Sequence, residues 1–420
     1  MGKKFSIEQA ASSTTIKSKP SILAKIFKNL ILSQFRKINH GCIILNEGNK
    51  KIIFGDQGSS LKAEVNIYSD EFYILAGSGG DLGIAEAYAA GYWDADDMVK
   101  LIQIVIKNQE VQKSLEGGLA KLISPINRYI HRSRRNTVSG SKENIVAHYD
   151  LSNEFFQTWL DKSMTYSCAI FEPEDLSLFD ASREKLDRIC RKLNIQPEDH
   201  VVEIGTGWGS FAVHAAREYG CRVTTTTISN KQHAYVSNLI EKEGLKDKIT
   251  LLKNDYRELK GQYDKLVSIE MIEAVGYQFY DEYFKIISQL LKDDGDALIQ
   301  AITIKDQRYL KAIHSVDFIQ KYIFPGSCIP SITAIQNSLT NATDLVINDV
   351  RDIGHHYART LADWRKKFLK NKREIRKLGF DDKFLRMWLF YFAYCEGGFE
   401  EKVISDIHLH ITKPGYRNSI

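Results

Sequence analysis

From residue 145 onward, short apolar runs alternate with stretches of helical period. Residues 201–205 (VVEIG), 222–228 (RVTTTTI), 249–253 (ITLLK), 263–269 (YDKLVSI) and 295–304 (GDALIQAITI) are largely apolar or β-branched, and helical spacing fills the gaps between them. That order predicts an α/β fold with a doubly wound parallel sheet. Ligands of such sheets sit beyond the carboxyl ends of the strands, so the chemistry is expected in those loops. The N-terminal region reads differently. CIILNE (42–47), KKIIFG (50–55), LKAEVNIYS (61–69) and EFYILAG (71–77) predict strands of a small meander, broken at Gly48-Asn49, Gly55 to Gln57 and Asp70. After Gly77-Ser78-Gly79-Gly80, residues 81–108 have helical period, and Tyr88, Tyr92 and Trp93 cluster around Gly91 as expected core.

Ahead of these elements, Pro20 opens a segment with Ile22, Leu23, Ile26, Phe27, Leu30 and Ile31 at helical spacing, bordered by Lys25, Lys28, Arg36 and Lys37. Such a stripe either lies in a bilayer interface or packs on the protein's own core. Residues 116–144 hold Gly117-Gly118, Ser139-Gly140-Ser141 and the basic run His131 to Arg135, and read as a linker whose charges are solvated or meet a phosphate. The expected units are a basic, partly mobile segment with an amphipathic helix (1–40), a small α+β domain engaging lipid (41–115), the linker (116–144) and a catalytic domain (145–420).

Composition narrows the class. With 420 residues, 43% hydrophobic and 26% charged, the chain is an ordinary multidomain globular protein and not collagen, coiled coil or disordered. A net charge of +4 is too small to argue for nucleic acid, but eight Lys or Arg against one Glu precede Gly41, which favours an anionic surface as partner. The longest apolar run, Met387 to Cys395, is too short to cross a membrane, and no stretch resembles a cleavable signal peptide. Six scattered cysteines without a C-x-x-C pair read as reduced thiols. A cytoplasmic protein associated peripherally with the inner face of the membrane is therefore expected.

The strongest local signal is VVEIGTGWGSF (201–211): an apolar strand, glycines at 205, 207 and 209, then a helix. Such a turn lets backbone approach a nucleotide at a helix N-terminus. A Gly-Lys-Ser/Thr is missing, as is G-x-G-x-x-G spacing, and the second strand ends in Thr224 to Thr227 and Ser229 without the acid a dehydrogenase sets on the ribose. Glu203 stands at the strand end, able to attract a cationic sulfonium or amine; its bland reading is a surface charge.

HYDLSNEFFQTWLDKSMTYSCAIF (148–171), VVEIGTGWGSFA (201–212), TTISNKQ (226–232), NDYREL (254–259), SIEMIEAVG (268–276), FPGSCIPS (324–331) and HHYARTLADW (355–364) together resemble the cyclopropane-fatty-acyl-phospholipid synthases, relatives of the mycolic acid cyclopropane synthases. AEAYAAGYWD (85–94) resembles that family's N-terminal domain, which favours the phospholipid-acting branch over the shorter mycolic acid relatives. The resemblance implies a class I methyltransferase (Rossmann-like) fold. It implies transfer of a methylene group from S-adenosylmethionine to a cis double bond of an acyl chain in a membrane phospholipid, and a homodimer. By motif, Tyr166, Ser167, Gly205, Gly207, Trp208, Gly209, Thr227, Ile228, Ser229, Gln232, Tyr256 and Arg257 would hold the co-substrate. An alkyl cation must be kept from water by aromatic walls, for which the segment 309–324 with Phe318 and Tyr322 is the candidate lid.

A base must also stand within reach of the cation. In the family this is a bound bicarbonate, and Cys168, Glu273, the backbone of Ile302 and Tyr357 match the residues that hold it. Gln300 departs from the pattern: many synthases carry histidine there, and an amide can donate to an anion but cannot exchange a proton near neutral pH. Cys395 matches a cysteine once favoured as a nucleophile, which this mechanism does not need, so packing is expected of it. His355-His356 and His408-x-His410 read as solvated or core histidines and no metal is expected. Alternatives left open are a methyl- or methylene-branching fatty acid methyltransferase, a small-molecule N- or C-methyltransferase on the same fold, and a lipid-binding protein with a vestigial cofactor site.

Overall fold

A computed structural model describes residues 22–108 and 151–417. The linker with its basic run, the first 21 residues and the opening His148-Tyr149-Asp150 of the first motif lie outside the described residues.

Helix α1 (Ile22–Phe35) leads into strands β1 (Cys42–Glu47), β2 (Lys50–Gly55) and β3 (Lys62–Ile67). Helices α2 (Glu71–Ala89) and α3 (Met98–Lys107) flank a short strand β4 (Trp93–Ala95). The strand order is β2-β1-β3-β4, and β1 pairs parallel with β3, so the sheet is no meander. The stretch EFYILAG, expected as a strand, is the first half of α2. Its buried residues Phe72, Tyr73 and Ala76 follow helical rather than alternating spacing. The glycines expected to break the chain lie inside that helix. Gly80 kinks it at φ 57°, and a Cβ at Gly77 would fall 2.2 Å from the Phe27 ring, so the absent side chain lets α1 and α2 touch. The 81–108 stretch is in turn interrupted by β4, whose Trp93 pairs with Ile67.

The second unit follows the expected alternation. After α4 (Asn153–Gln157) and α5 (Leu178–Lys192) come β5 (His200–Ile204), α6 (Ser210–Glu218), β6 (Arg222–Thr226), α7 (Asn230–Lys242), β7 (Ile249–Leu252) and β8 (Tyr263–Ile269). They are followed by α8 (Tyr280–Leu290), β9 (Leu291–Ile304), α9 (Asp306–Ala312), α10 (Ile332–Ala342) and β10 (Val346–Asp352). Helices α11 (Gly354–Lys370), α12 (Lys372–Lys377) and α13 (Asp382–Glu400) and strand β11 (Ile404–Thr412) complete it. The seven strands run β10-β11-β9-β8-β5-β6-β7; β7, β6, β5, β8 and β9 are parallel, while β11 pairs antiparallel with β9 and β10. The switch in strand order falls between β5 and β8, at whose carboxyl ends Ile204 and Ile269 lead into the glycine turn and Glu270.

The two units share one apolar core, in which Phe27, Ile31, Tyr73 and Trp93 join Phe155, Trp159, Trp364 and Trp388. Arg386 on α13 ties them: it donates to the carbonyls of Tyr88 and Trp93 and to Asp94 Oδ2, and its guanidinium lies 3.9 Å from the Tyr88 ring centre. Helix α1 splits its apolar residues. Phe27, Ile31 and Phe35 enter the core, while Ile22, Ile26 and Leu30, spaced by four, are 79%, 51% and 53% exposed. Among the described residues no helix is long and apolar enough to cross a membrane.

Candidate active site

The turn after β5 needs glycine. Gly205, Gly207 and Gly209 have φ of 91°, 54° and 87°, a region disfavoured for other residues, and the turn delivers the N-terminus of α6 to a cavity of about 160 Å³. Glu203, Gly205, Gly207 and Trp208 line it from this side. Thr227, Ile228 and Gln232 close it from the end of β6, and Tyr256 and Arg257 from the turn after β7. Tyr166 and Ser167 form another wall. Gly209 and Ser229, expected in the same set, instead serve the helices. Gly209 is the N-cap of α6, and Ser229 caps α7 by accepting from the Gln232 amide.

Several contacts hold these side chains. Trp208 Nε1 donates to Asn153 Oδ1 at 2.9 Å and its ring packs 4.7 Å from Phe156, which fixes α4 over the turn. Thr227 donates to Gln232 Oε1 at 2.8 Å. Asp255 accepts from the backbone N, Nε and Nη2 of Arg257. Glu203 is buried, accepts from Thr225 Oγ1 at 2.5 Å, and desolvation raises its pKa to about 7. Lys185, fully buried, donates to Ser167 Oγ at 2.8 Å, and burial lowers its pKa. The set suits S-adenosylmethionine: an acid for its cationic end, helix N–H groups for its carboxylate, and Trp208, Ile228 and Tyr256 for the flat base.

A second cavity of about 270 Å³, mostly apolar, adjoins the first. The two share Tyr166, Glu270 and Ala274. Phe324, Tyr357, Tyr391, Tyr394 and Phe399 give the second its aromatic walls, with Glu273, Ile302 and Cys395 also facing it. The expected lid segment 309–324 does line it, through Ala312, Ser315, Ile319, Gln320 and Phe324, but Phe318 and Tyr322 do not. Phe318 packs 4.9 Å from Phe390, and Tyr322 donates to Glu86, because the π-helical turn Ile319–Ile323 rotates Ile319 and Phe324 inward instead. Cys395 is half-buried on the apolar cavity wall and its thiol pKa is pushed well up by desolvation, which leaves it no thiolate at neutral pH.

At the junction, the residues expected around an anion are together, but a carboxylate of the chain already sits among them. Glu270 Oε1 accepts from the Cys168 amide at 2.7 Å and from Gln300 Nε2 at 2.8 Å, and Oε2 accepts from the Tyr357 hydroxyl at 2.6 Å. Glu273 Oε1 accepts from the Ile302 amide at 2.5 Å, while its buried Oε2 has no partner among the described residues. Desolvation, reinforced by the charge of Glu270, raises the Glu273 pKa to about 8. Burial likewise raises the pKa of Glu270. Cys168 and Gln300 line neither cavity; both are buried behind Glu270. Glu270, Lys185 and Asp406, which accepts from Gln300 Nε2 at 2.8 Å, escaped the sequence reading. The signal for Glu270 was present within SIEMIEAVG as a second acid three residues before Glu273.

His355 and His356 meet Glu172, with ligand atoms all within 4.8 Å, an acid that spacing did not reveal. Arg188 also holds Glu172 at 2.7 Å, so the group is part of an ion-pair network. His408 Nε2 lies 3.4 Å from Gln300 Oε1, and His410 Nε2 lies 2.8 Å from Asp296 Oδ2.

The family model described as mycolic acid cyclopropane synthetase matches residues 137–409. The chain belongs to this family. It is 38% identical over 334 residues to tuberculostearic acid methyltransferase UfaA1 of Mycobacterium tuberculosis, covering 77% of each chain. It is 33% identical over 353 residues to the cyclopropane-fatty-acyl-phospholipid synthase of Escherichia coli, covering 82% of this chain and 86% of that one. The solved structure of mycolic acid cyclopropane synthase CmaA1 with SAH and CTAB superposes with a TM-score of 0.60 at 30% identity, over 65% of this chain and 98% of that one. The protein is thus a class I, S-adenosylmethionine-dependent methyltransferase of a family that transfers methylene to lipid double bonds.

Proposed function

We propose that this enzyme converts the cis double bond of an unsaturated acyl chain in a membrane phospholipid to a cyclopropane ring. The observation that carries this reading is the meeting of a polar, glycine-turn cavity and an aromatic-walled one at Tyr166, Glu270 and Ala274. Bound S-adenosylmethionine supplies an electrophilic methyl group. Glu203 and the α6 N-terminus would hold its charged end and Trp208 and Tyr256 its base, and positioning of this kind is worth several kcal/mol of the barrier. Tyr166, Phe324, Tyr357 and Tyr391 exclude water and present π faces to the positive charge that develops on the acyl chain, at about 0.5–2 kcal/mol per contact. The resemblance also implies a bicarbonate as base. Its donors Cys168, Gln300 and Tyr357 are taken by Glu270, so the residues do not fit a free anion.

The exposed Ile22, Ile26 and Leu30, bordered by exposed Lys25, Arg36 and Lys37, support peripheral contact with an anionic bilayer, on the cytoplasmic face. The test is incubation of purified protein with methyl-labelled S-adenosylmethionine and vesicles of cis-monounsaturated phospholipid, followed by mass spectrometry and NMR. A gain of one CH2 with high-field cyclopropane protons is expected; transfer to soluble amines only would refute the proposal. The likeness to a tuberculostearic acid methyltransferase favours a second reading, a branched chain formed when the proton leaves elsewhere, and it shows as a CH2 gain without those protons.

A further inference from the structure

Glu270 stands one residue beyond β8 with φ 48°, a left-handed backbone that strains a non-glycine residue by roughly 1–2 kcal/mol. Strain of this kind persists where the surrounding structure fixes the residue, and here three donors fix its carboxylate. They come from three distant places in the chain: the Cys168 amide, the Gln300 side chain on β9 and the Tyr357 hydroxyl on α11. Glu270 is also among the three residues shared by both cavities, so its carboxylate lies where a methyl group and an alkene would meet.

We propose that Glu270 is the base of the reaction, a built-in carboxylate that takes the place of a diffusible bicarbonate. The inference rests on the functional reading above. A carboxylate and a bicarbonate present the same pair of anionic sp2 oxygens, and the donors that would hold one already hold the other. Of the remaining members of that set, the Ile302 amide donates to Glu273 Oε1 rather than to a diffusible anion. The departure at Gln300 follows. Its amide donates one N–H to Glu270 and one to Asp406, a fixed bridge between two buried carboxylates that needs no titrating side chain.

The step balances without a further reactant. When the alkene has taken the methyl group and the S–CH3 bond has broken, the acyl chain carries one positive charge. A C–H bond of the transferred carbon breaks, its electron pair closes the ring, and its proton passes to a carboxylate oxygen of Glu270. The resulting carboxylic acid returns the proton to solvent when product leaves.

The experiment compares the wild type with Glu270→Gly and Glu270→Gln on vesicles of cis-monounsaturated phospholipid, in carbon dioxide-free buffer and with added bicarbonate. Glycine adopts the same backbone without strain, and glutamine keeps the shape without the basicity. The wild-type rate should not respond to bicarbonate. Both variants should lose about 100-fold or more in carbon dioxide-free buffer, with S-adenosylmethionine affinity by calorimetry within twofold of wild type, and bicarbonate should partly restore Glu270→Gly alone. A wild-type rate that collapses without bicarbonate, or variants that keep the wild-type rate, would overturn the assignment while leaving the functional reading intact. Absence of transfer by the wild type in either buffer would overturn both.

Discussion

Replacing Ile26 and Leu30 by glutamate tests whether the exposed face of α1 meets a bilayer, without touching the core. Truncating the helix would not serve, because Phe27, Ile31 and Phe35 on its other side are buried in the shared core. Withdrawing a whole Ile or Leu side chain from water is worth about 1.5–3 kcal/mol. At half exposure, Ile26 and Leu30 together offer about 2 kcal/mol to a bilayer. Two new carboxylates beside an anionic surface oppose binding by about 1 kcal/mol each, the value that Lys25, Arg36 and Lys37 each contribute in the other direction. The total of about 4 kcal/mol corresponds to a roughly thousandfold drop in partitioning. Sedimentation with vesicles of increasing anionic lipid content measures this directly, and urea denaturation should move by no more than about 0.5 kcal/mol, since both positions face solvent. Vesicle binding by the double variant equal to that of the wild type would refute the reasoning.

Three further outcomes follow from the site. Gly205→Ala places a Cβ 2.7 Å from Met271 Cγ at a φ of 91°, and should weaken S-adenosylmethionine binding by about tenfold or more in calorimetry; unchanged affinity would contradict the role given to the turn. The Glu273 carboxyl, raised from 4.5 to about 8, keeps its proton in the folded state at pH values where the unfolded chain has lost it. The folded state therefore binds more protons between those values, and stability falls as pH rises through that window. Glu273→Gln should flatten the fall in urea denaturation between pH 5 and pH 8.5, and parallel pH profiles would count against it. Cys395→Ala should retain kcat within about threefold because the buried thiol forms no nucleophile, whereas Cys395→Trp should abolish lipid turnover and leave S-adenosylmethionine binding intact; a dead alanine variant would restore a chemical role to the thiol.

What could be read along the chain was local in cause. The parallel strands announced themselves as apolar β-branched runs, and the turn 205–209 as glycines between a strand and a helix, because both patterns are set by neighbours a few residues apart. The motifs around Tyr166, Glu203 and Tyr256 were legible for the same reason. In EFYILAG an apolar run too short to show its period was read as a strand, and packing of Phe72, Tyr73 and Ala76 on the shared core decided for a helix. The segment 309–324 is legible as a cavity wall, but that Phe324 faces the cavity while Phe318 and Tyr322 turn away is not, since the direction a side chain takes from a π-helical turn depends on what α13 presents to it. The split of α1 into a buried and an exposed face is likewise set by where α2 lies. Glu270 shows the limit most clearly. Alone in the sequence it is one acid among 53; its place at the reaction centre arises only when donors 102, 30 and 87 residues away converge on its two oxygens. Local patterns set the fold class and the glycine turn, whereas which carboxylate stands between the two cavities depends on the packed chain, because charge acquires a role only from the groups that surround it.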